Sequence, residues 1–399
     1  MLLMLFALIS PRCRSIISSI GLLVMGMAGC TRPAVNASPQ DYLVYVGTNV
    51  ASNQENTIFL YRLSSTTGAL ALVSAQPGGA SPTYLTLDGK KRFLYAVNET
   101  QTFRGAKSGS VRSFAVDQRT GSLTLLNEQP SAGAAPCYIS LDGKGKVALV
   151  ANYVGGTSSL LAIGADGQLA PPSSVARHAG QGPHKNQEAP HAHCIITDPA
   201  NVYAFTVDLG TDRVHRYRLN TAQGLLTETA EPAFVAPAGA GPRHLTFHPN
   251  GKLAYPINEL NSTITALAYD KAAGQFRKLQ TLPALPADFA GPNSCADIHV
   301  SPNGRFLYAS NRGHNSIAVF SIDAATGTLK PVQHVPTQGK TPRNFVLDPS
   351  GRLLLVANQN SNNLVSYRVD QQTGRLTPTG QTAEVPSPMF LQVVEDFRK

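Results

Sequence analysis

Apolar and polar residues alternate along this chain in short runs, and no stretch holds the 3.6-residue period of an amphipathic helix. One arrangement of runs recurs. A proline leads an alternating run into a glycine-bearing turn, and a second apolar run then ends on Asn. Pro82 leads to Asp88-Gly89 and then to Phe93-Leu94-Tyr95-Ala96-Val97-Asn98, and Pro136 leads to Asp142-Gly143 and then to Val147 through Asn152. Pro242 with Pro249-Asn250-Gly251 and Pro342 with Pro349-Ser350-Gly351 repeat the pattern, ending at Asn258 and Asn358. Two more copies end at Asp208 and Asn311, while the first keeps only its second half, Leu43 to Thr48. A third run follows each landmark, as in Val111 to Val116 and Ile317 to Ile322. Then comes a turn such as Thr120-Gly121 or Thr326-Gly327, whose glycine supplies the positive φ of a tight hairpin.

Each unit therefore reads as four short strands. The landmarks at 48, 98, 152, 208, 258, 311 and 358 lie 47 to 56 residues apart, which is propeller spacing. The first unit lacks its proline-led strand and the C-terminus has one to spare, Pro388 to Val393. Pairing of these N- and C-terminal strands would close the ring and hide the sheet edges. The sequence predicts an all-β fold, a seven-bladed β-propeller over residues 41–396.

Composition narrows the function classes. With 42% hydrophobic and 14% charged residues, the chain is neither disordered nor a coiled coil. Its 34 glycines and 28 prolines suit a turn-rich fold. The formal charge of +9 is spread thinly, and its densest cluster, Lys90-Lys91-Arg92, sits beside an Asp-Gly turn as a solvated hairpin tip. Nucleic acid is not an expected partner.

The first thirty residues carry a different message. Arg12 and Arg14 precede an apolar run from Ile16 to Ala28 that ends Met27-Ala28-Gly29-Cys30. Small residues before a cysteine resemble a bacterial lipobox, which implies cleavage of residues 1–29, lipidation of Cys30 and a linker over residues 30–40. The competing reading is an ordinary secretory signal cut near Ala37. Thr31 after Cys30 leans toward an outer-membrane anchor on the periplasmic side. Cys137, Cys194 and Cys295 then remain, with no Cys-x-x-Cys spacing, and no disulfide is expected.

In a propeller the innermost strands line a channel, so equivalent positions form rings. The residue after the leading proline gives Thr83, Cys137, His193, Arg243, Ala296, Arg343 and Met389; the residue after each landmark gives Asn49, Glu99, Tyr153, Leu209, Glu259, Arg312 and Gln359. One sector collects His193, Arg243, Glu259 and Arg312. Guanidinium forks bind carboxylate or phosphate, and a carboxylate beside an imidazole can move protons. An Arg243–Glu259 salt bridge that merely neutralises the channel is the structural alternative. His191 and His193, two apart on a strand, could chelate a metal, but no third ligand is evident; neither metal nor cofactor is expected.

Tyr45-Val46-Gly47-Thr48, Ala151-Asn152-Tyr153-Val154-Gly155-Gly156, Pro190-His191-Ala192-His193, Gly241-Pro242-Arg243-His244 and Asn258-Glu259-Leu260 resemble the lactonase family of seven-bladed propellers. That family includes propeller-type 6-phosphogluconolactonases and carboxy-muconate lactonising enzymes. The resemblance implies a catalytic set of His193, Arg243, Glu259 and Arg312, with His191 as the alternative histidine; the ring positions place Glu99 and Arg343 at the same mouth, where they and His191 are expected to contact substrate. The function it implies is hydrolysis of a sugar-derived lactone by a monomer, with Glu259 activating water and His193 protonating the ring oxygen, or these roles exchanged. A cycloisomerase using the same residues and a non-catalytic binding propeller are the rivals.

Overall fold

The structure is a computed structural model and describes residues 41–50 and 54–397. Its sheets form the predicted seven-bladed ring. Blades two to seven begin with the proline-led or equivalent strands Pro82–Leu87, Pro136–Leu141, Ala192–Thr197, Pro242–Phe247, Ser294–Val300 and Pro342–Leu347. These innermost strands touch one another in succession around the channel. The first blade is completed by the C-terminal strand Pro388–Glu395, which pairs antiparallel with Tyr42–Thr48 from Tyr42↔Glu395 to Thr48↔Pro388. Blade four departs from the four-strand plan, because its outer edge is divided between Leu225–Glu228 and Phe234–Val235. Among the described residues the sole helical element is a 3₁₀ turn, Gln359–Ser361, and no helix is long and apolar enough to cross a membrane.

The core is divided among the gaps between blades. Seven apolar clusters are found among the described residues, each shared by two neighbouring blades. Strand alternation explains this. On Tyr42–Thr48, Leu43 and Tyr45 enter the cluster shared with blade two, while Val44 and Val46 enter that shared with blade seven. A strand sandwiched in this way is buried on both faces, so it reads as an unbroken apolar run. The Thr-Gly turns lock neighbours together: Tyr45, Tyr255 and Tyr308 donate their hydroxyls to the carbonyls of Gly121, Gly327 and Gly374 in the next blade, at 2.8, 3.0 and 3.0 Å. Cys137, Cys194 and Cys295 are buried free thiols.

Candidate active site at the channel mouth

One backbone irregularity, repeated in every blade, builds the site. Each inner strand slips register just after it begins, so Pro82 pairs with Asn98 but Tyr84 with Val97. The residues skipped are Thr83, Cys137, His193, Arg243 and Arg343, with Met389 in the closing strand and Ala296-Asp297 in blade six. A bulged residue leaves the ladder and escapes strict alternation, which is how a strand re-aims a side chain. The second ring sits where the next strand leaves the sheet. The N–H groups of Glu99, Tyr153 and Glu259 donate to Ser81, Ala135 and Gly241 at 2.9, 2.8 and 2.7 Å. Gly241 has φ of +61°, and a side chain there would run into Leu260, so this turn requires glycine.

The two rings enclose a cavity of about 220 Å³ lined by Glu99, Cys137, Tyr153, His193, Glu259, Arg312 and Arg343. It is small beside typical ligand pockets of roughly 300–1,000 Å³, a size suited to a sugar-scale molecule. A narrow slit shares Glu99, Cys137 and Arg343 and continues past Thr83, Arg243 and His244. Tyr84, which lines the slit, packs tilted against two further rings, centred 4.1 Å from Tyr138 and 3.9 Å from Phe390. A larger open cleft of about 630 Å³ lies at the far end of these strands, between the turns of blades two and three. Its Asp88 and Asp142 accept the N–H groups of their own turns, at Phe93 (2.9 Å) and Val147 (3.0 Å).

Charge in the cavity is unevenly paired. Glu259 Oε2 forms an ion pair with Arg312 Nη2 at 2.8 Å and lies 3.0 Å from Arg243 Nε, whose N–H is not aimed at it. Both guanidiniums are anchored elsewhere as well: Arg243 Nη1 donates to the Ala296 carbonyl at 2.6 Å, and Arg312 Nη2 to that of Cys295 at 2.9 Å. Burial alone would raise the Glu259 pKa, but Arg312 and Arg243 outweigh it and hold the carboxylate below its ordinary range. Arg243 is pulled down to about 10 by burial and by Arg312 and Arg343, and stays charged at neutral pH. Burial, then Arg243 and His244, push the His193 pKa well below its usual value, leaving a neutral imidazole. By contrast, Arg343 makes no ion pair among the described residues, and Glu99 Oε2 is buried without a hydrogen-bond partner there. Thr83 Oγ1 is also unpartnered.

The family model for "Lactonase, 7-bladed beta-propeller" matches residues 43–393. The chain belongs to the lactonase family of seven-bladed β-propellers. Among its relatives is a 6-phosphogluconolactonase of Bacillus subtilis, 39% identical over 77% of this chain and 85% of that one. Another, from Formosa agariphila, bears the same name and is 36% identical over 76% and 86% of the two chains. The solved structure of a periplasmic gluconolactonase from Pseudomonas aeruginosa superposes with a TM-score of 0.83 at 34% identity, covering 89% of this chain and 99% of that one.

Of the lactonase residues expected from the sequence, His193, Glu259, Arg312, Glu99 and Arg343 line the one cavity, and Arg243 lines the slit beneath it. His191 does not. It precedes the strand, stacks on Tyr153 at 4.4 Å, and uses Nδ1 on the Tyr153 carbonyl and Nε2 on Glu188, at 3.1 and 3.3 Å. The expectation that His191 and His193 point the same way is thus corrected: the bulge at His193 breaks the alternation on which it rested. The Arg243–Glu259 ion pair, first weighed as an alternative to chemistry, is present. Cys30 lies outside the described residues. Sequence reasoning assigned no role to Tyr153 or Cys137, although both stood in its rings. His244, too, had no role beyond its place in the Gly241-Pro242-Arg243-His244 motif. His244 Nδ1 meets buried Asp297 at 2.8 Å, and Asp297 in turn accepts from Asn344 at 2.5 Å and meets His299 at 2.9 Å, tying three inner strands below the site.

Proposed function

We infer that the protein opens a sugar-derived lactone to the sugar acid by attack of water, as a carboxylic ester hydrolase of the 6-phosphogluconolactonase-like kind. One observation carries the assignment of roles. In a cavity rich in fixed positive charge, Arg343 and Glu99 are the charged groups not already committed to each other or to a neighbour. The lactone carbonyl oxygen faces Arg343, and charge developing there is stabilised by it and by the fixed field of Arg243 and Arg312. Glu99 takes a proton from water as the water oxygen bonds to the carbonyl carbon. It returns that proton to the ring oxygen as the C–O bond breaks. Neutral His193 offers hydrogen bonds to sugar hydroxyls. Glu259 acts through the two arginines it holds, which moves the base away from the residue first expected to activate water. The product is itself a carboxylate, so the cationic lining needs no phosphate on the substrate.

The test is acid release from glucono-lactone and from 6-phosphoglucono-lactone, each above its spontaneous rate. Enzymatic opening of either, abolished by Glu99→Gln, supports this reading. A rate at background on both overturns it, and lactone formation from an unsaturated acid would point to a cycloisomerase.

Location is a second part of the proposal. The Met27-Ala28-Gly29-Cys30 sequence and the likeness to a periplasmic gluconolactonase support an envelope lipoprotein: a monomeric propeller behind a linker over residues 30–40, anchored through Cys30 at the periplasmic face of the outer membrane. There it would meet unphosphorylated sugar lactones. A Cys30→Ser protein that leaves the membrane fraction supports the anchor; one that remains there refutes it.

A further inference from the structure

The repeat provides its own controls, and blade four breaks its rule. In blades two, three, six and seven the landmark residue is Asn, whose side-chain amide ties the blade to its predecessor, and blade five also carries Asn, bonded within its own blade. Asn98 Nδ2 donates to the Gly78 carbonyl, Asn311 Nδ2 to Ala284 and Asn358 Nδ2 to Thr337, all at 2.9 Å. Seven residues on, the next strand supplies a hydroxyl in blades three and five: Asn152 Nδ2 donates to Ser159 Oγ at 3.2 Å and Asn258 Nδ2 to Thr265 Oγ1 at 3.4 Å. Blade four carries Asp208 and His215 at these two places.

A third change meets them from blade three. His178 donates its N–H to Gly156 in the same way that Ser131, Ala284 and Thr337 donate theirs to Gly109, Ser262 and Asn315. Where those siblings are small or hydroxylated, blade three presents an imidazole. His178 Nδ1 lies 2.5 Å from Asp208 Oδ2, and its ring stacks on His215 at 4.1 Å. The side chains of His178 and Asp208 have no solvent exposure, and that of His215 is 8% exposed. One donor atom from each lies within 4.8 Å of the others.

We propose that His178, Asp208 and His215 form a binding site for a divalent transition-metal ion of the zinc class, joining blade three to blade four. Two imidazoles and a carboxylate are a borderline-soft donor set that suits such an ion. Metal–ligand bonds of about 2 Å need donors roughly 3–3.5 Å apart, so small side-chain rotations close the site. Thr211 Oγ1, 3.4 Å from His215 Nε2, or a water fills the fourth position. The outer contacts also fit. The Tyr217 hydroxyl lies 3.0 Å from His178 Nε2, leaving Nδ1 for the ion, and Asp208 Oδ1 accepts from the N–H groups of His191 and Thr211, both at 3.0 Å. Binding displaces the proton between His178 and Asp208. It also braces the segment that leads into His193.

The test uses untagged full-length protein stripped with a chelator. Calorimetric titration with Zn²⁺ and visible absorption with Co²⁺ are compared in wild type, Asp208→Asn, His215→Thr and His178→Ser. Each substitution installs a residue that sibling blades already use, so thermal melting of the metal-free variants should show folded protein. The expected result is one Zn²⁺ per chain, a rise in melting temperature with Zn²⁺, d–d bands with Co²⁺, and at least 100-fold weaker binding in each variant. No stoichiometric binding by wild type, or equal binding by the folded variants, overturns the site and leaves a hydrogen-bonded cluster. Should one variant fail to fold, the other two decide the outcome.

Discussion

Glu99 and Glu259 stand at the same place in the repeat, directly after the landmark Asn of blades two and five, and their surroundings give them opposite duties. Around Glu259 the bulge residue of its own blade is Arg243, and the following blade offers Arg312, so the carboxylate is held between two guanidiniums. Around Glu99 the corresponding residues are Thr83 and Tyr153, which bring no charge. One backbone geometry thus yields a structural counterion in one sector and an uncommitted carboxylate in another. Position in a repeat fixes where a side chain arrives; its neighbours on the two adjacent strands fix what it can do.

Exchange of each carboxylate for its amide should separate these duties. For Glu99→Gln, turnover should fall by about 10²–10⁴-fold, the range of general acid–base catalysis, with the melting temperature unchanged. Arg343→Ala should lower turnover by about 10²–10³-fold, the scale of a lost oxyanion donor, because that arginine has no structural partner to strand. Glu259→Gln should act mainly on stability. Leaving two buried guanidiniums uncompensated costs about 3–5 kcal/mol, which denaturant unfolding measures. The smallest effect is expected from pH. Because burial and then Arg243 depress the His193 pKa well below its ordinary value, its imidazole is already neutral where a free imidazole titrates and gains its proton only in more acidic solution. The rate should therefore show no inflection near 6.5 from this residue, and a step there that disappears in His193→Gln would break the assignment.

Much of this was legible in the sequence because the information repeats. Seven spaced copies of one turn-and-strand pattern identified the blades, and the unmatched strand at each end identified the closure. The ring after the leading proline was equally legible, since it coincides with the bulges that turn residues toward the channel. Less visible was anything dependent on contacts between blades. Glu259 could be named as a site residue, yet its double clamp depends on Arg312, which arrives from the next blade. His191 looked equivalent to His193 under strict alternation, and a bulge removed the equivalence. His178, Asp208 and His215 come from two blades, and no local spacing announces them.

The most direct test of the account is kcat/KM for lactone hydrolysis in wild type, Glu99→Gln and Glu259→Gln, each measured beside its stability in denaturant. With Glu99 as the base, Glu99→Gln should unfold like wild type yet lose about 10²–10⁴-fold in kcat/KM, while folded Glu259→Gln, though less stable, should keep most of its turnover. A folded Glu99→Gln that turns over like wild type, beside a folded Glu259→Gln that does not, would contradict the division of labour and return the base to Glu259.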